Sequence, residues 1–342
     1  MVGSSLIYMS APTTSAGRAM VEIRTAVRRE LTKLSPGESI ITACSGGADS
    51  LALSYALAKE AEKLAITVIG VSIDHQLQEG SHSQAQQVIA QLHAMGVSQA
   101  EIIAVKVDQI DGMEASARRV RYAALDEAAA RHGAVKVFLG HTLDDQAEGV
   151  LLGLARGSGT RSLSAMAFES GKYLRPLLGI TRQVTVRACQ EENLEPWNDP
   201  QNEDRQYLRV RVRNQALPVL ERSIGPGVSA ALARSASLLR DDADALDDWA
   251  KREFSALDPE SMDIALLSAL PRAVRSRVIR LALYFLGAPP GAISADHVGA
   301  IEALVTSWHG QGQVSLPGGV KAGRISGRLS LLPPSQSPSI QE

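Results

Sequence analysis

The side chains best suited to chemistry on a phosphorylated substrate lie in one short run, Ser45-Gly46-Gly47-Ala48-Asp49-Ser50. Two adjacent glycines let backbone N–H groups approach an anion closely, and the two serines can donate hydrogen bonds to phosphate oxygens. The carboxylate of Asp49 can hold a Mg²⁺ ion that bridges those phosphates. A bare Gly-Gly turn more often marks only a tight connection, but the serines and the aspartate together favour a phosphate-binding loop.

A second polar cluster follows a later apolar run. Its four members are spaced at i, i+3, i+4 and i+7: His141, Asp144, Asp145 and Glu148. A helix that begins near Thr142 places all four on one face. The simpler interpretation is a capped helix start, with Thr142 as the N-cap and acids favoured by the helix dipole. Capping explains two acids, whereas four polar groups together favour an active-site role.

Two runs of arginines are candidates for contacts with anionic substrates. The first lies on a predicted helix, where Arg118, Arg121 and Tyr122 occupy adjoining positions that could reach a polyphosphate. The second interleaves arginines with an aromatic residue, as nucleic-acid contacts do: Arg205, Tyr207, Arg209, Arg211 and Arg213. For both runs a solvated basic face is the competing interpretation, and for the second so are internal salt bridges with the abundant aspartates.

The elements that must position these residues alternate between strands and helices. Apolar runs predict strands at 40–43, 65–74, 101–107 and 135–140, and helical periodicity predicts helices at 18–34, 48–57, 83–95, 114–131 and 181–192. This alternation is typical of an α/β fold with a doubly wound, mostly parallel sheet. Ligands bind beyond the C-terminal ends of such strands, where the phosphate loop, Asp74-His75 and His141 are expected.

The chain is long enough for two domains, at a typical size of about 150 residues each. The Gly-Pro-Gly segment at 224–227 is the best boundary, between a catalytic domain at 18–222 and a smaller, mainly helical domain at 227–333. The second domain carries a basic cluster between Arg272 and Arg280 and a small β element at its end. Two segments rich in small or turn-forming residues are expected to be disordered tails: 1–17 and 334–342.

Composition narrows the function further. The formal net charge of −2 predicts no overall basic surface, so contacts with nucleic acid must come from local clusters. No apolar run approaches the roughly 18 residues that a membrane-spanning helix needs. The two cysteines, Cys44 and Cys189, form no CxxC pair, which argues for a reducing compartment and against a zinc or iron–sulfur site. We therefore expect a cytoplasmic protein.

Taken together, these motifs resemble the tRNA(Ile)-lysidine synthetase family, a branch of the PP-loop (N-type) ATP pyrophosphatases. The SGGxDS loop is shared by the whole superfamily, and the narrower resemblance rests on five further features. These are Asp74-His75 at a strand end, the A-R-x-x-R-Y helix at 117–122, the HxxDDQxE segment at 141–148 with the R-G-S-G loop at 156–159, the R-P-L-L element at 175–178 and the W…D…Y-x-R-x-x-x-R run at 197–213. The resemblance spans about residues 40–220 and continues more weakly to Leu332.

The resemblance implies an activity. Such enzymes use ATP, Mg²⁺ and free L-lysine to convert the cytidine at the first anticodon position of a CAU-anticodon tRNA(Ile) to lysidine. AMP is first transferred from ATP to the cytosine carbonyl oxygen with release of pyrophosphate, and the ε-amine of lysine then attacks the activated carbon and expels AMP. A homodimer is compatible with this family.

The resemblance also implies roles for individual residues. The loop from Ser45 to Ser50, with Asp74 and His75, would bind ATP, while Asp49 and Asp145 would hold Mg²⁺. Arg118 would stabilise the departing pyrophosphate, and the run at 205–213 would contact the tRNA. Three residues would hold the lysine or take its proton, and the sequence does not separate these roles: His141, Asp144 and Glu148.

Two other functions fit the loop. One is a different ATP pyrophosphatase: the missing CxxC pairs disfavour a tRNA thiolase, and the absence of an amidotransferase domain disfavours the commonest kind of amide synthetase. The other is a non-enzymatic nucleotide-binding module on the same sheet, which would release no pyrophosphate.

One residue departs from the family pattern. Family members usually have threonine after the glutamate of HxxDDQxE, and this chain has Gly149. Glycine inside a helix costs roughly 1 kcal/mol relative to alanine, so we expect a loosened helix in which threonine would recover about half of that cost.

Overall fold

The computed structural model of the chain describes residues 17–76, 80–107, 113–157, 159–198 and 204–333. The expected tails therefore lie outside the described residues, apart from Gly17. The chain divides into two compact units, Met1–Ser237 and Leu238–Glu342. This division lies inside a helix rather than in the expected linker at 224–227, because helical structure resumes at Val228 and continues to Ser255.

The first unit is a six-stranded sheet covered by helices. Its elements in chain order are α1 (Arg18–Leu31), β1 (Ser39–Ala43), α2 (Ala48–Ala61), β2 (Thr67–Asp74), α3 (Ser81–Met95), β3 (Gln99–Ala104), α4 (Met113–Arg131), β4 (Ala134–Leu139), α5 (Leu143–Ala155), α6 (Thr160–Leu163), β5 (Glu169–Ser170), β6 (Tyr173–Leu174), α7 (Arg182–Glu191), α8 (Leu208–Arg211) and α9 (Leu217–Ile224). A short 3₁₀ turn, Glu62–Leu64, follows α2, and a π-helical turn, Val212–Ala216, joins α8 to α9.

The strand order is β3-β2-β1-β4-β6-β5. Strands β1 to β4 and β6 are parallel, and only β5 runs antiparallel, at one edge. The predicted doubly wound, mostly parallel sheet is therefore confirmed. The central position of β1 brings the loop that follows it between the C-terminal ends of β2 and β4.

The two faces of β1 build two separate cores. Ile40 and Ile41 are both completely buried, but Ile40 packs with α1, α2, α3 and α7, whereas Ile41 packs with α4. Successive side chains of a strand point to opposite faces, so an unbroken apolar run is what a strand covered on both sides requires. This packing fixes the end of β1, and with it the start of the phosphate loop.

The second unit combines helices with an antiparallel sheet. Its elements are the C-terminal part of α10 (Val228–Ser255), then β7 (Ser261–Asp263), α11 (Ile264–Ala269), α12 (Arg272–Phe285), a 3₁₀ turn (Pro290–Ala292), α13 (Ala295–Thr306), β8 (Val314–Ser315), a second 3₁₀ turn (Pro317–Gly319), β9 (Lys321–Ile325) and β10 (Arg328–Leu332). The strand order is β7-β10-β9-β8, with every pair antiparallel. The expected β element at the end of the chain is therefore a four-stranded sheet. Within the described residues, no helix is long and apolar enough to cross a membrane.

Candidate active site

The loop after β1 has the geometry of an anion cradle. Gly46 has a φ of +86°, and a Cβ atom added there would lie 2.7 Å from Val88 Cγ2, so only glycine fits without a shift. The Ser50 hydroxyl donates to the Gly47 carbonyl at 3.0 Å and accepts the Ser45 N–H at 3.2 Å, which closes the loop on itself. Helix α2 begins directly afterwards, so its positive end faces this loop.

A second close approach brings the polar segment after β4 to the loop. A Cβ atom on Gly140 would lie 3.0 Å from the backbone carbon and oxygen of Asp49, so the end of β4 touches the first turn of α2. A cavity of about 560 Å³ opens at this junction. Its polar lining includes Ser45, Asp49, Ser50, Arg121, His141, Asp145, Arg182, Trp197, Asn198, Arg209, Arg213 and Asn214.

Asp49 is held by α7 as well as by its own helix. Its Oδ2 accepts a hydrogen bond from Arg182 Nε at 3.1 Å, and its Oδ1 accepts one from the Thr185 hydroxyl. Burial raises the pKa of Asp49 above its usual value, because the opposing effects of Arg182 and Thr185 do not fully compensate for the loss of solvent. A cation that enters the cavity would therefore favour the ionised form of Asp49.

The start of α5 satisfies both interpretations of the polar cluster. Thr142 is the N-cap, and its backbone N–H donates to Asp145 Oδ2 at 2.8 Å. The other oxygen, Asp145 Oδ1, accepts from Arg182 Nη2 at 3.2 Å. Asp144 Oδ2 accepts the Arg182 backbone N–H at 2.7 Å, which fixes the first turn of α7. Asp145 thus caps its helix and also faces the cavity, while His141 precedes the helix.

Glu148 is the most deeply buried acid of this cluster, with no exposed surface. Arg213 Nε donates to Glu148 Oε1 at 2.5 Å, and Arg209 Nε donates to Oε2 at 2.8 Å. Arg182 Nη1 lies 3.7 Å from Oε1. Arg213 lies in the π-helical turn, a feature that often occurs at functional sites because it redirects side chains.

Ion pairs join these groups into one cluster of three carboxylates and three guanidinium groups: Asp49, Asp145, Glu148, Arg182, Arg209 and Arg213. Burial disfavours ionisation of Asp145, but the neighbouring Arg182 and the Thr142 N–H outweigh it and hold the pKa of Asp145 below its usual value. Burial also disfavours the charged form of Arg182, yet its carboxylate neighbours raise the pKa of that side chain. The formal charges of the cluster cancel.

Two histidines lie beside a positive region formed by Arg118, Arg121 and Arg175. Burial and the nearby charge of Arg121 lower the pKa of His141 to about 3, and the same two causes lower the pKa of His75. The Nδ1 atoms of both rings are buried without a hydrogen-bond partner among the described residues. Burial and the like charges of Arg118 and Arg175 also lower the pKa of Arg121. This region favours anions, and both imidazoles are neutral at physiological pH.

Three residues that the sequence assigned to ATP or pyrophosphate lie outside the described lining of this cavity. Arg118 is exposed, with its guanidinium 5.0 Å from the Tyr122 ring, and the described lining of the cavity contains Arg121 instead. Asp74 and His75 do end β2, but they are absent from that lining as well. Asp74 Oδ1 accepts the Gln76 N–H at 2.9 Å, and Oδ2 lies 3.6 Å from His82 Nδ1.

The arginine run at 205–213 divides between two environments. Arg209 and Arg213 turn inwards to Glu148, as the salt-bridge interpretation requires. Arg211 is exposed, and its Nη1 donates to the backbone carbonyls of Arg205 and Gln206 at 2.9 and 3.1 Å. Arg205 is exposed and Tyr207 half-buried, so the outward part of the run is open to solvent.

The basic cluster on α12 is compensated in a similar way. Arg272 and Arg275 both pair with Glu302, at 3.2 and 3.4 Å, and Arg277 pairs with Asp247 at 2.6 Å. The cluster is therefore less basic in the fold than in the sequence.

Sequence reasoning missed Arg182, and it noted Trp197 only as part of the run before the linker, without a role in the site. Arg182 starts α7 shortly after the R-P-L-L element and contacts all three carboxylates of the ion-pair cluster. The backbone N–H of Trp197 donates to the Gly46 carbonyl at 2.9 Å, which joins a segment distant in sequence to the phosphate loop. The only available signal was a lone arginine at a helix start and a tryptophan among turn residues.

Comparisons with known proteins agree on the fold and the family. The PP-loop domain family matches residues 21–220, and the TilS substrate binding domain matches residues 262–330. A tRNA(Ile)-lysidine synthase from Thermobifida fusca is 50% identical over 309 residues, covering 90% of this chain and 95% of the relative. One from Streptomyces coelicolor is 52% identical over 295 residues, covering 85% and 84%.

A solved structure is similar at lower identity. It is a U34-tRNA thiolase from Methanococcus maripaludis, with its 4Fe-4S cluster, at a TM-score of 0.55 and 18% identity, covering 65% of this chain and 79% of that one. At this identity the likeness extends to the fold alone.

Proposed function

Because the chain belongs to the tRNA(Ile)-lysidine synthase family, we propose that it joins free L-lysine to the cytidine at the first anticodon position of a CAU-anticodon tRNA(Ile). ATP is converted to AMP and pyrophosphate, and the lysidine product changes codon reading from AUG to AUA. The observation that carries the proposal is the cavity beyond β1 and β4, which combines a phosphate loop with the ion-pair cluster.

The first step is adenylation of the cytosine carbonyl. Its oxygen attacks the α-phosphorus of ATP, a new P–O bond forms, and the bond to the β-phosphate oxygen breaks. The loop N–H groups and the N-terminus of α2 hold the phosphates. Arg121 lines the cavity in a region without a compensating acid among its strongest electrostatic neighbours, so we assign the stabilisation of pyrophosphate to Arg121 rather than to Arg118.

Mg²⁺ fits the two carboxylates Asp49 and Asp145. Both carboxylates accept hydrogen bonds from the same Arg182 side chain, so the positively charged guanidinium group bridges them in this structure. Among the described residues no group of three or more His, Cys, Asp or Glu could hold a metal, which suits an ion that takes one or two carboxylates and completes its shell with phosphates and water. When bound, it would supply charge neutralisation for the phosphates.

The second step is attack of the lysine ε-amine on the activated carbon, which expels AMP. The amine must first lose a proton. His141 lines the cavity and its Nδ1 has no partner among the described residues, which supports a role in accepting a hydrogen bond from the lysine amine. Its pKa of about 3 makes it too weak a base to keep the proton, which we assign to solvent. Asp144 and Glu148 are already bonded to arginine groups, so we assign them to orienting Arg182, Arg209 and Arg213.

The test is nucleoside mass spectrometry of tRNA incubated with ATP and lysine. We expect lysidine with the parent protein and with Asp242→Asn, an exposed aspartate on α10 that serves as the matched control. Asp49→Asn is expected to slow lysidine formation by about 10²- to 10³-fold, because it removes one charge-stabilising group, while the thermal midpoint stays unchanged. Pyrophosphate release without lysidine, or a sulfur-containing nucleoside, would instead indicate one of the other ATP-pyrophosphatase activities.

The partners and location complete the proposal. The outward residues Arg205, Tyr207 and Arg211 and the second unit would contact the tRNA. Cys44 and Cys189 are both buried free thiols, which supports a cytoplasmic location. Sedimentation velocity of the full chain would distinguish a monomer from the homodimer that the family resemblance allows.

A further inference from the structure

A second cavity of about 430 Å³ lies between α3 and the segment 195–198. Gln84, Gln87 and Gln91 project into it from α3, where their spacing of i, i+3 and i+7 puts them on one face of the helix. Trp197 and Asn198 form the opposite side. The same two residues also line the active-site cavity, so the two cavities share a wall.

The chemistry of this second cavity suits a nucleobase. Amide side chains carry both donors and acceptors and can bond to the polar edges of any base, and an indole ring offers a surface for stacking. No lysine, arginine or histidine lines it among the described residues, and Glu195 adds a negative charge, so a phosphate group is a poor occupant. Its volume lies within the range of ordinary ligand sites.

The walls are fixed in place without a ligand. Gln91 Nε2 donates to the Glu195 carbonyl at 3.1 Å, and the Glu195 N–H donates back to Gln91 Oε1 at 3.3 Å. The backbone N–H of Trp197 donates to the Gly46 carbonyl at 2.9 Å, which leaves the indole ring free of this bond. The segment is thus bonded to α3 on one side and to the phosphate loop on the other, and a site built this way loses little entropy when it binds.

We propose that this second cavity binds the unstacked base of a nucleotide that flanks the reacting cytidine, by stacking on Trp197 and bonding to Gln84 and Gln87. The inference rests on the proposed function, since the active-site cavity must hold the cytidine itself. The two cavities share the wall formed by Trp197 and Asn198, so a nucleotide next to the cytidine is the one proposed to reach the second cavity. Either the 5′ or the 3′ neighbour supplies the base.

A double-mutant cycle between protein and RNA tests the proposal. One arm pairs the parent protein and Trp197→Ala with intact tRNA(Ile). The other arm uses tRNA that lacks the base 5′ or 3′ of the cytidine. Stacking of one base is typically worth about 5- to 150-fold in binding, so Trp197→Ala should raise the KM for intact tRNA by that factor. With the tRNA that lacks the bound base, the same substitution should cause almost no further loss, and this identifies which neighbour is bound.

Controls separate this site from general effects on folding or on ATP. Gln87→Ala should raise the KM for tRNA without changing ATP affinity, whereas Gln86→Ala, an exposed glutamine of the same helix that contacts His82, should change neither. Gln87→Ala also keeps the proposal testable if Trp197→Ala fails to fold. If Trp197→Ala raised the KM by the same factor with intact tRNA and with each tRNA that lacks one flanking base, the proposed base-binding site would be overturned. Absence of lysidine with intact tRNA and parent protein would overturn the proposed function instead.

Discussion

Replacing both Arg209 and Arg213 with alanine separates a role in the fold from a role in RNA binding. Glu148 is completely buried, so the double variant leaves its carboxylate with Arg182, at 3.7 Å, as its one ion-pair partner among the described residues. Removing one partner of a buried ion pair costs about 3–5 kcal/mol. The Arg209 and Arg213 side chains are 30% and 26% exposed and therefore partly solvated, so we expect a loss of about 2–4 kcal/mol in the free energy of unfolding.

The assay is urea denaturation of the full chain followed by circular dichroism. The matched control is Arg205→Ala with Arg211→Ala, which removes two exposed arginines of the same run and should change the free energy of unfolding by less than about 0.5 kcal/mol. Adding Glu148→Gln to the Arg209 and Arg213 double variant should recover at least half of the lost stability, because it removes the unpaired charge.

The same variants report on RNA. If Arg209 and Arg213 served the tRNA backbone, their loss would flatten the slope of log affinity against log salt by about 0.7–0.9 for each lost phosphate contact. We expect that change for Arg205 and Arg211 instead. An unchanged urea midpoint together with a flattened salt slope in the Arg209 and Arg213 double variant would refute the reasoning.

Three further predictions concern single residues. Arg121→Ala should lower the rate of pyrophosphate release by about 10²- to 10³-fold, whereas Arg118→Ala, at an exposed position, should stay close to the parent rate; equal losses would contradict the assignment. Gly149→Thr should lower the free energy of unfolding by about 1–3 kcal/mol rather than raise it, because a Cβ at this position would lie 3.3 Å from the Ala165 Cβ, and a higher urea midpoint would contradict this close packing. Burial alone would raise the pKa of Glu60, but its three cationic partners outweigh burial and lower that pKa to about 2. Relative to an unfolded pKa of roughly 4.3 this lowering corresponds to about 3 kcal/mol, and because the cationic partners are 29–54% exposed we expect about 2 kcal/mol of stability from it. This contribution is present above the unfolded pKa and is lost as the pH falls through about 2, and Glu60→Gln should lack it when urea midpoints are measured across this range.

The sequence predicted the parallel core well because its strands are buried on both faces. The run around Ile40 and Ile41 is apolar throughout, and both residues are completely buried, on opposite faces. Strands β5 and β6 have only two residues each, too few to show any periodicity, and they were not predicted. The helix that contains Gly149 was predicted correctly, but the small space left for a side chain beside Ala165 was invisible, since packing between distant segments leaves no local pattern.

The sequence indicates which residue types form the candidate site better than it indicates which of those side chains point into the protein. Arg209 and Arg213 are four positions apart and Arg211 lies between them, so helical spacing already separates an inner pair from an outer residue. What the spacing could not supply is the partner, because Glu148 lies 61 and 65 positions earlier in the chain. For the same reason the sequence could not decide between Arg118 and Arg121: both lie on one helix, and it is the fold that places Arg121 in the lining of the cavity.

The long sequence separations within the site also govern when it can form during synthesis. Asp49 binds Arg182 and Thr185, which follow it by 133 and 136 residues, and its loop is tied to Trp197. A nascent chain that has released only residues 1–160 already contains β1 to β4 and the whole phosphate loop, but it lacks α7 and every arginine of the ion-pair cluster. Contacts between distant segments form late. ATP binding by ribosome-bound chains of increasing length should therefore begin only after Arg213 has emerged.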